Sequence, residues 1–351
     1  MDEHEADALL SFAREGDREL RGLQAGAWRG RLQDRTPQLE AAFRWFLDHD
    51  RAGDSMAMAI ALANFVRISG RVTAGREWLD RALAAASPDD PQRPFALYEN
   101  GLLAFWQGAD EEVRSLLEQS LDLGRRRGDA TAVAVALCGL ARLLLREGDL
   151  DRARALCEEA LATVEGSDER LGRSNALHVL GVAAQMAGEL QEARGFMTQR
   201  IELARELGDL ALVGTESSNL SMVERQLGNL ERAEELAVES LRLEARRGDE
   251  WAIPYTLNGL AAIAVETGAF EPAATLLAAA ATLQDQQGNA WPPDERPHFE
   301  RSRAAVTEGL DHEQLERAWS AGERMSLADA VRYALAPARP DIPLGKGQMT
   351  G

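Results

Sequence analysis

Cys138 and His178 stand forty residues apart, and the same step separates Tyr98, Cys138, His178, Ser218 and Asn258. A thiol and an imidazole at equivalent places of neighbouring units are two parts of an activated nucleophile. The chemistry needs more: a third group to orient the base, and free N–H donors for a developing oxyanion. Regular helices offer few such donors beyond their first turn. The row therefore reads as the lining of a binding groove, and no catalytic residue is expected. Zinc is not expected either, because Cys138 and His178 supply only two ligands of the usual four. Cys138 and Cys157 lie on different helices and match no metal or redox spacing, so no cofactor is expected.

The step of forty belongs to the whole chain. Gly108, Gly148, Gly188, Gly228 and Gly268 repeat at that interval, with Gly128, Gly208, Gly248 and Gly288 halfway between and Gly166-Ser167-Asp168 covering the remaining turn. Counting from each marker glycine, five places on come Val113, Ala153, Ala193, Ala233 and Ala273. Seven places before come Gly101, Ala141, Gly181, Ser221 and Ala261, and leucine precedes all but the first. Twelve on come Ser120, Ala160, Arg200, Ser240 and Ala280, where Arg200 departs from the small residues. Small side chains at fixed points let two helices approach closely, and a period of this length signals stacked helical hairpins. One hairpin cannot bury enough apolar surface to offset ordering its backbone, so neighbours and end caps must complete the core.

This pattern resembles the tetratricopeptide repeat, in a version longer than the usual 34 residues. The resemblance implies an all-α, right-handed superhelical solenoid of antiparallel helix pairs over residues 36–290. Residues 1–35 read as two N-terminal helices. After Trp291-Pro292-Pro293 three helices near 294–309, 311–323 and 326–336 read as a C-terminal cap, and 337–351 as a disordered tail.

Composition narrows the partners. The chain carries 39 Lys+Arg against 58 Asp+Glu, a net charge of −19, and a single lysine, Lys346. That balance argues against direct nucleic-acid contact and against an anionic membrane. No apolar run is long enough to span a bilayer, and the acidic N-terminus is unlike a secretory signal. A cytoplasmic protein is expected.

Two segments narrow the resemblance. Leu39-Glu-Ala-Ala-Phe-Arg-Trp-Phe-Leu47 and Gly75-Arg-Glu-Trp-Leu-Asp-Arg-Ala-Leu83 are similar to the start of the helical-repeat sensor region of large bacterial ATPase-type (STAND, LuxR-like) transcriptional regulators. Pro292–Arg301 and Ala318–Leu335 are similar to its end. The resemblance implies a sensing and docking arm for a protein, a peptide or a small effector. It does not bring ATP hydrolysis or DNA reading, because Gly345-Lys346-Gly347 is too short for a phosphate loop and no basic recognition helix is visible. A free-standing scaffold of the same fold is the alternative, and an enzyme using the groove a more distant one.

In such stacks the first helix of each pair lines the hollow. Ten places before the turn glycine stand Tyr98, Cys138, His178, Ser218 and Asn258, expected to face away from the core. Thirteen before, Asn175, Thr215 and Tyr255 join them; three before, Gln185 and Arg225; six before, Arg142 and Met222. Gly214-Thr-Glu-Ser-Ser-Asn219 places poor helix formers mid-helix, and Ser217 stands where other repeats have leucine. Local rules broken without structural gain are expected at functional sites, so Ser218 and Asn219 complete the candidate set.

Overall fold

The computed structural model describes residues 1–286, 291 and 296–336. The expected tail, Gly288 and the Pro292-Pro293 break lie outside these residues. Among the described residues the fold is all-α, with eighteen helices in sequential antiparallel pairs. The chain divides into two compact units, residues 1–216 and 217–351.

The first unit opens with α1 (Glu3–Glu19), α2 (Ala25–Asp34) and α3 (Thr36–Asp48). Four pairs follow: α4 (Ala52–Ile68) with α5 (Val72–Ala85), α6 (Arg93–Gln107) with α7 (Asp110–Arg127), α8 (Ala130–Glu147) with α9 (Leu150–Thr163), and α10 (Leu171–Met186) with α11 (Leu190–Leu207). The unit ends within α12 (Leu210–Gln226). The second unit holds the rest of α12, then α13 (Leu230–Arg247), α14 (Ile253–Glu266), α15 (Phe270–Gln286), α16 (Arg296–Gly309), α17 (His312–Glu323) and α18 (Leu327–Leu335). The three helices expected after Trp291 are thus α16, α17 and α18, and Phe299, Val306, Ala318 and Val331 bury against α14 and α15.

The turns show why the glycines recur. Gly148 takes φ +81°, a left-handed conformation that costs other residues a steric clash. There its N–H donates to the Leu145 carbonyl at 3.1 Å, while Asp149 N–H donates to Leu144 at 2.9 Å, closing the spent helix. Asp149 then starts the next one, its carboxylate accepting from Arg152 N–H at 3.2 Å.

Between the turns, the small columns sit where helices meet. Val113, Ala153, Ala193, Ala233 and Ala273 are each fully buried. A Cβ on Gly101 would lie 2.9 Å from Leu117 Cδ2, and one on Gly181 would lie 3.0 Å from Met197 Cγ. Glycine at these points lets α6 press on α7 and α10 on α11, with a large side chain filling the space. The N-terminal helices join the same core: Phe43 stacks on Trp78 at 5.8 Å, and Phe46 and Phe65 are almost wholly buried. Each such aromatic contributes about 1.5–3 kcal/mol through burial.

Replacing Gly101 by Val should lower the unfolding free energy by about 1–3 kcal/mol, the usual range for overpacking a tight seam. Gly195, mid-α11 with nothing within 4 Å of a Cβ, should behave oppositely, Gly195→Ala raising stability by about 0.5–1 kcal/mol. Urea unfolding followed by circular dichroism measures both.

Candidate functional site

The described site lies within the first unit and starts from the two residues that break its small columns. Arg200 on α11 occupies the place of Ser120 and Ala160, and Glu216 on α12 that of Ala96, Ala136 and Ala176, twelve before the turn glycine. Both are buried, Arg200 at 3% exposure and Glu216 at none. They meet as an ion pair, Arg200 Nη1 donating to Glu216 Oε2. Arg200 Nε donates to Ser174 Oγ at 3.4 Å. Burial alone would raise the Glu216 pKa, but Arg200 and then His178 overcome it and hold the carboxyl at about 2.

His178 on α10 closes the cluster. Its Nδ1 lies 3.2 Å from Glu216 Oε2 and 3.1 Å from Arg200 Nη1. Burial first, and then the Arg200 charge, push its pKa down to about 4 despite Glu216. The ring is therefore neutral near pH 7, and with Nδ1 engaged its remaining polar atom is Nε2. The ring is half-buried.

A second polar contact crosses α8. Asn175 Nδ2 on α10 donates to Tyr98 Oη on α6 at 3.1 Å, joining residues 77 apart. Tyr98 is buried, and burial, followed by Glu99, raises its hydroxyl pKa beyond the ordinary phenol range. Arg142 on α8 acts electrostatically on both Tyr98 and His178, and is half-buried. Glu99, beside Tyr98 and half-buried, has its carboxyl pushed up to about 7 by burial and then by Asp17.

The N-terminal helices reach this region too. Arg21, just beyond α1, pairs with Asp17 at 3.2 Å and with the buried Asp209 at 3.6 Å. Its carbonyl accepts from Ala211 N–H at 3.1 Å. Asp209 also caps α12 by accepting from Leu212 N–H at 3.0 Å. Burial opposes the Arg21 charge, but Asp17 and Asp209 outweigh it and raise its pKa.

The structure corrects the expected row. Cys138 does not line a groove; it is 1% exposed, and its Sγ donates to the Gly172 carbonyl at 3.7 Å. A Cβ on Gly172 would lie 2.5 Å from that of Ala134, so α10 presses on α8 and closes over the thiol. Tyr98 and Asn175 are likewise buried, satisfied by each other. His178, Arg142 and Gln185 are half-buried and Thr215 is exposed. Cys157 on α9 lies beside Cys138 on α8, and that neighbouring thiol and then burial raise the Cys157 pKa. Both thiols are free and buried.

In the second unit, Ser218, Asn219 and Met222 are half-buried, and Asn258 is buried at 3% with Oδ1 lacking a hydrogen-bond partner. Arg225 pairs with Glu266. Tyr255 belongs to an aromatic ladder, 5.0 Å from Trp251 and 5.6 Å from Trp291. Glu244 is buried, its Oε1 accepting from Ser240 at 2.9 Å and Thr256 at 2.8 Å. Burial raises its pKa to about 7.

Sequence reasoning marked Arg200 as a departure and missed its partner; the column twelve before the glycine would have exposed Glu216. Glu99, Arg21 and Asp17 were missed as well.

Comparison with known proteins agrees with the fold. Residues 92–165 and 132–206 match a tetratricopeptide repeat family model. No curated protein matches the chain. Among solved structures, a Rap protein complexed with Competence and Sporulation Factor is 13% identical, with 93% of this chain and 89% of that one covered and a TM-score of 0.55. The Cut9–Hcn1 hetero-tetramer of the APC/C is 15% identical over 88% of this chain and 48% of that one, at a TM-score of 0.54. Aspartyl phosphate phosphatase F from Bacillus subtilis is 10% identical over 93% and 97%, at 0.50. These likenesses concern the fold. No helix among the described residues is long and apolar enough to cross a membrane.

Two outcomes follow from the buried pair. Arg200→Ala should cost about 3–5 kcal/mol by stranding Glu216, whereas Arg200→Ala with Glu216→Ala, which restores the small residues of sister repeats, should recover most of that loss. Between pH 6.5 and 4 the unfolded chain protonates His178 and the folded chain does not, so its contribution to stability falls as pH falls. Denaturant midpoints of wild type and His178→Gln across that window should converge on acidification. With the repeats and their helix pairing in hand, the chain is a protein of tetratricopeptide-repeat fold.

Proposed function

We propose that this chain is a non-catalytic protein- or peptide-binding module, the effector-sensing region of a bacterial transcriptional regulator. One observation carries the reading: Glu99 and Arg142, from successive pairs whose helices α6 and α8 pack together, are half-buried ionisable groups with no hydrogen bond or ion pair to any described residue. Burying charge without a partner is unfavourable, so a ligand that supplied the missing partners would be favoured there. Repeats of this kind bind proteins and peptides along extended surfaces. A Rap protein of similar fold has been solved with Competence and Sporulation Factor bound, which supports a ligand held within the repeats.

The mechanism is a shift of population. A ligand touching α6, α8 and α10 at once favours whichever spacing of those helices fits it, and the Arg200–Glu216 pair carries that preference onward to α12. The free thiols of Cys138 and Cys157 support a reducing, cytoplasmic setting. The engaged Cys138 and the Nδ1 of His178, held by Glu216 and Arg200, support a binding role over a thiol nucleophile.

Native mass spectrometry of the protein purified from its own host tests the reading. A discrete adduct should be present, be released on denaturation, and be lost in Arg142→Met at unchanged helix content. A bare mass, together with no thermal stabilisation by a randomised hexapeptide pool, would exclude the module as a peptide sensor.

A further inference from the structure

Charged residues around α6 and α8 of the first unit are unevenly distributed. At one end, Glu99, Asp17 and Asp209 gather around Arg21 and Arg67, three carboxylates against two guanidiniums. Arg21 is engaged by Asp17 and Asp209, and Arg67 Nη2 donates to Asn64 Oδ1 at 2.7 Å. Glu99 makes no hydrogen bond or ion pair with any described residue, and is half-buried. At the other end, Arg142 likewise has no hydrogen bond or ion pair with any described residue. Its neighbours are neutral: Tyr98, whose oxygen accepts from Asn175, and His178, whose Nδ1 faces Arg200 and Glu216.

The helices bring these two ends together. Arg142 lies one turn beyond Cys138 on α8, and α8 packs against both α6 and α10. The Tyr98–Asn175 hydrogen bond links α6 to α10 across it, so Arg142 cannot be remote from Tyr98. Glu99 follows Tyr98 on α6. Tyr98 feels both charges, Glu99 raising its pKa and Arg142 lowering it.

We infer that Glu99 and Arg142 form the two poles of a receptor for a short zwitterion, a free peptide or amino acid whose ammonium meets Glu99 and whose carboxylate meets Arg142. The Tyr98 hydroxyl, accepting from Asn175, retains its own proton to donate to the carboxylate. A charge-assisted hydrogen bond at each pole gives specificity for ligands carrying both charges. Arg14 and Arg31 are exposed and lie in water, whereas Arg142 and Glu99 are held partly out of it on helices that pack together. The inference rests on the sensing role proposed above and narrows it to a ligand class.

The test uses the full chain and a randomised tripeptide pool built without Lys, Arg, His, Asp or Glu, so that only the termini are charged. The pool is prepared free, N-acetylated, C-amidated and doubly capped, and binding is read by native mass spectrometry and thermal shift. The free pool should bind, and either cap alone should weaken binding at least tenfold. In Glu99→Gln the free and N-acetylated pools should become equivalent; in Arg142→Met the free and C-amidated pools should. Capped peptides binding within twofold of free ones would overturn the zwitterion receptor while leaving a peptide-binding module intact. No binding by any pool, with no host-derived adduct, would overturn both. If either variant fails to fold, the four-pool comparison on the wild-type chain decides alone.

Discussion

The close approach of neighbouring helices is the constraint on which this structure depends. Glycine or alanine at fixed distances from each turn brings backbones near enough for single large side chains, such as Leu117 and Met197, to fill the seam. Such packing is unforgiving, because protein interiors leave little room for an extra methylene. It also makes exceptions informative. Where Arg200 and Glu216 replace two small residues, the seam must hold a guanidinium and a carboxylate, and it can do so only because each neutralises the other. A buried pair of this sort adds little stability over apolar packing, yet losing half of it is costly. The joint therefore ties α10, α11 and α12 into one dependent group.

That dependence links packing to binding. His178 is held by the pair through Nδ1 and is kept neutral, so it sits near Arg142 without competing for an anion. Tyr98 is fixed by Asn175 from the opposite side. The two fixed neutral groups leave Arg142 as the local positive charge, while Asp17, Asp209 and Glu99 outnumber Arg21 and Arg67, the guanidiniums they act on. The uneven charge around α6 and α8 thus follows from hydrogen bonds that are themselves part of the fold.

Much of this was legible in the sequence. Helix pairing, the turn glycines and the buried columns come directly from the period of forty, and the N-terminal and C-terminal helices stand where their patterns put them. The site was only half legible. His178 and Arg142 were assigned to the inner rows, but Cys138 was taken for a groove residue because the rows describe a single helix pair. Whether the next pair covers a position depends on that pair's own small residues, here Gly172. Arg200 stood out as an exception, whereas Glu216 lay within Gly214–Asn219, poor helix formers in which Ser218 and Asn219 drew the attention. The meeting of Arg21 with Asp209 and Ala211 lay beyond periodic reasoning, because it joins segments almost 190 residues apart that share no repeat.

The central claim is that Glu99 makes no hydrogen bond or ion pair with any described residue and is open to a ligand's ammonium, and its titration reports this directly. Carboxyl-selective 13C NMR of the free chain should give a Glu99 pKa of about 7, moving down toward the ordinary range when the uncapped tripeptide pool is added. A Glu99 that titrates as an exposed glutamate does, and is indifferent to the peptide, would contradict the account.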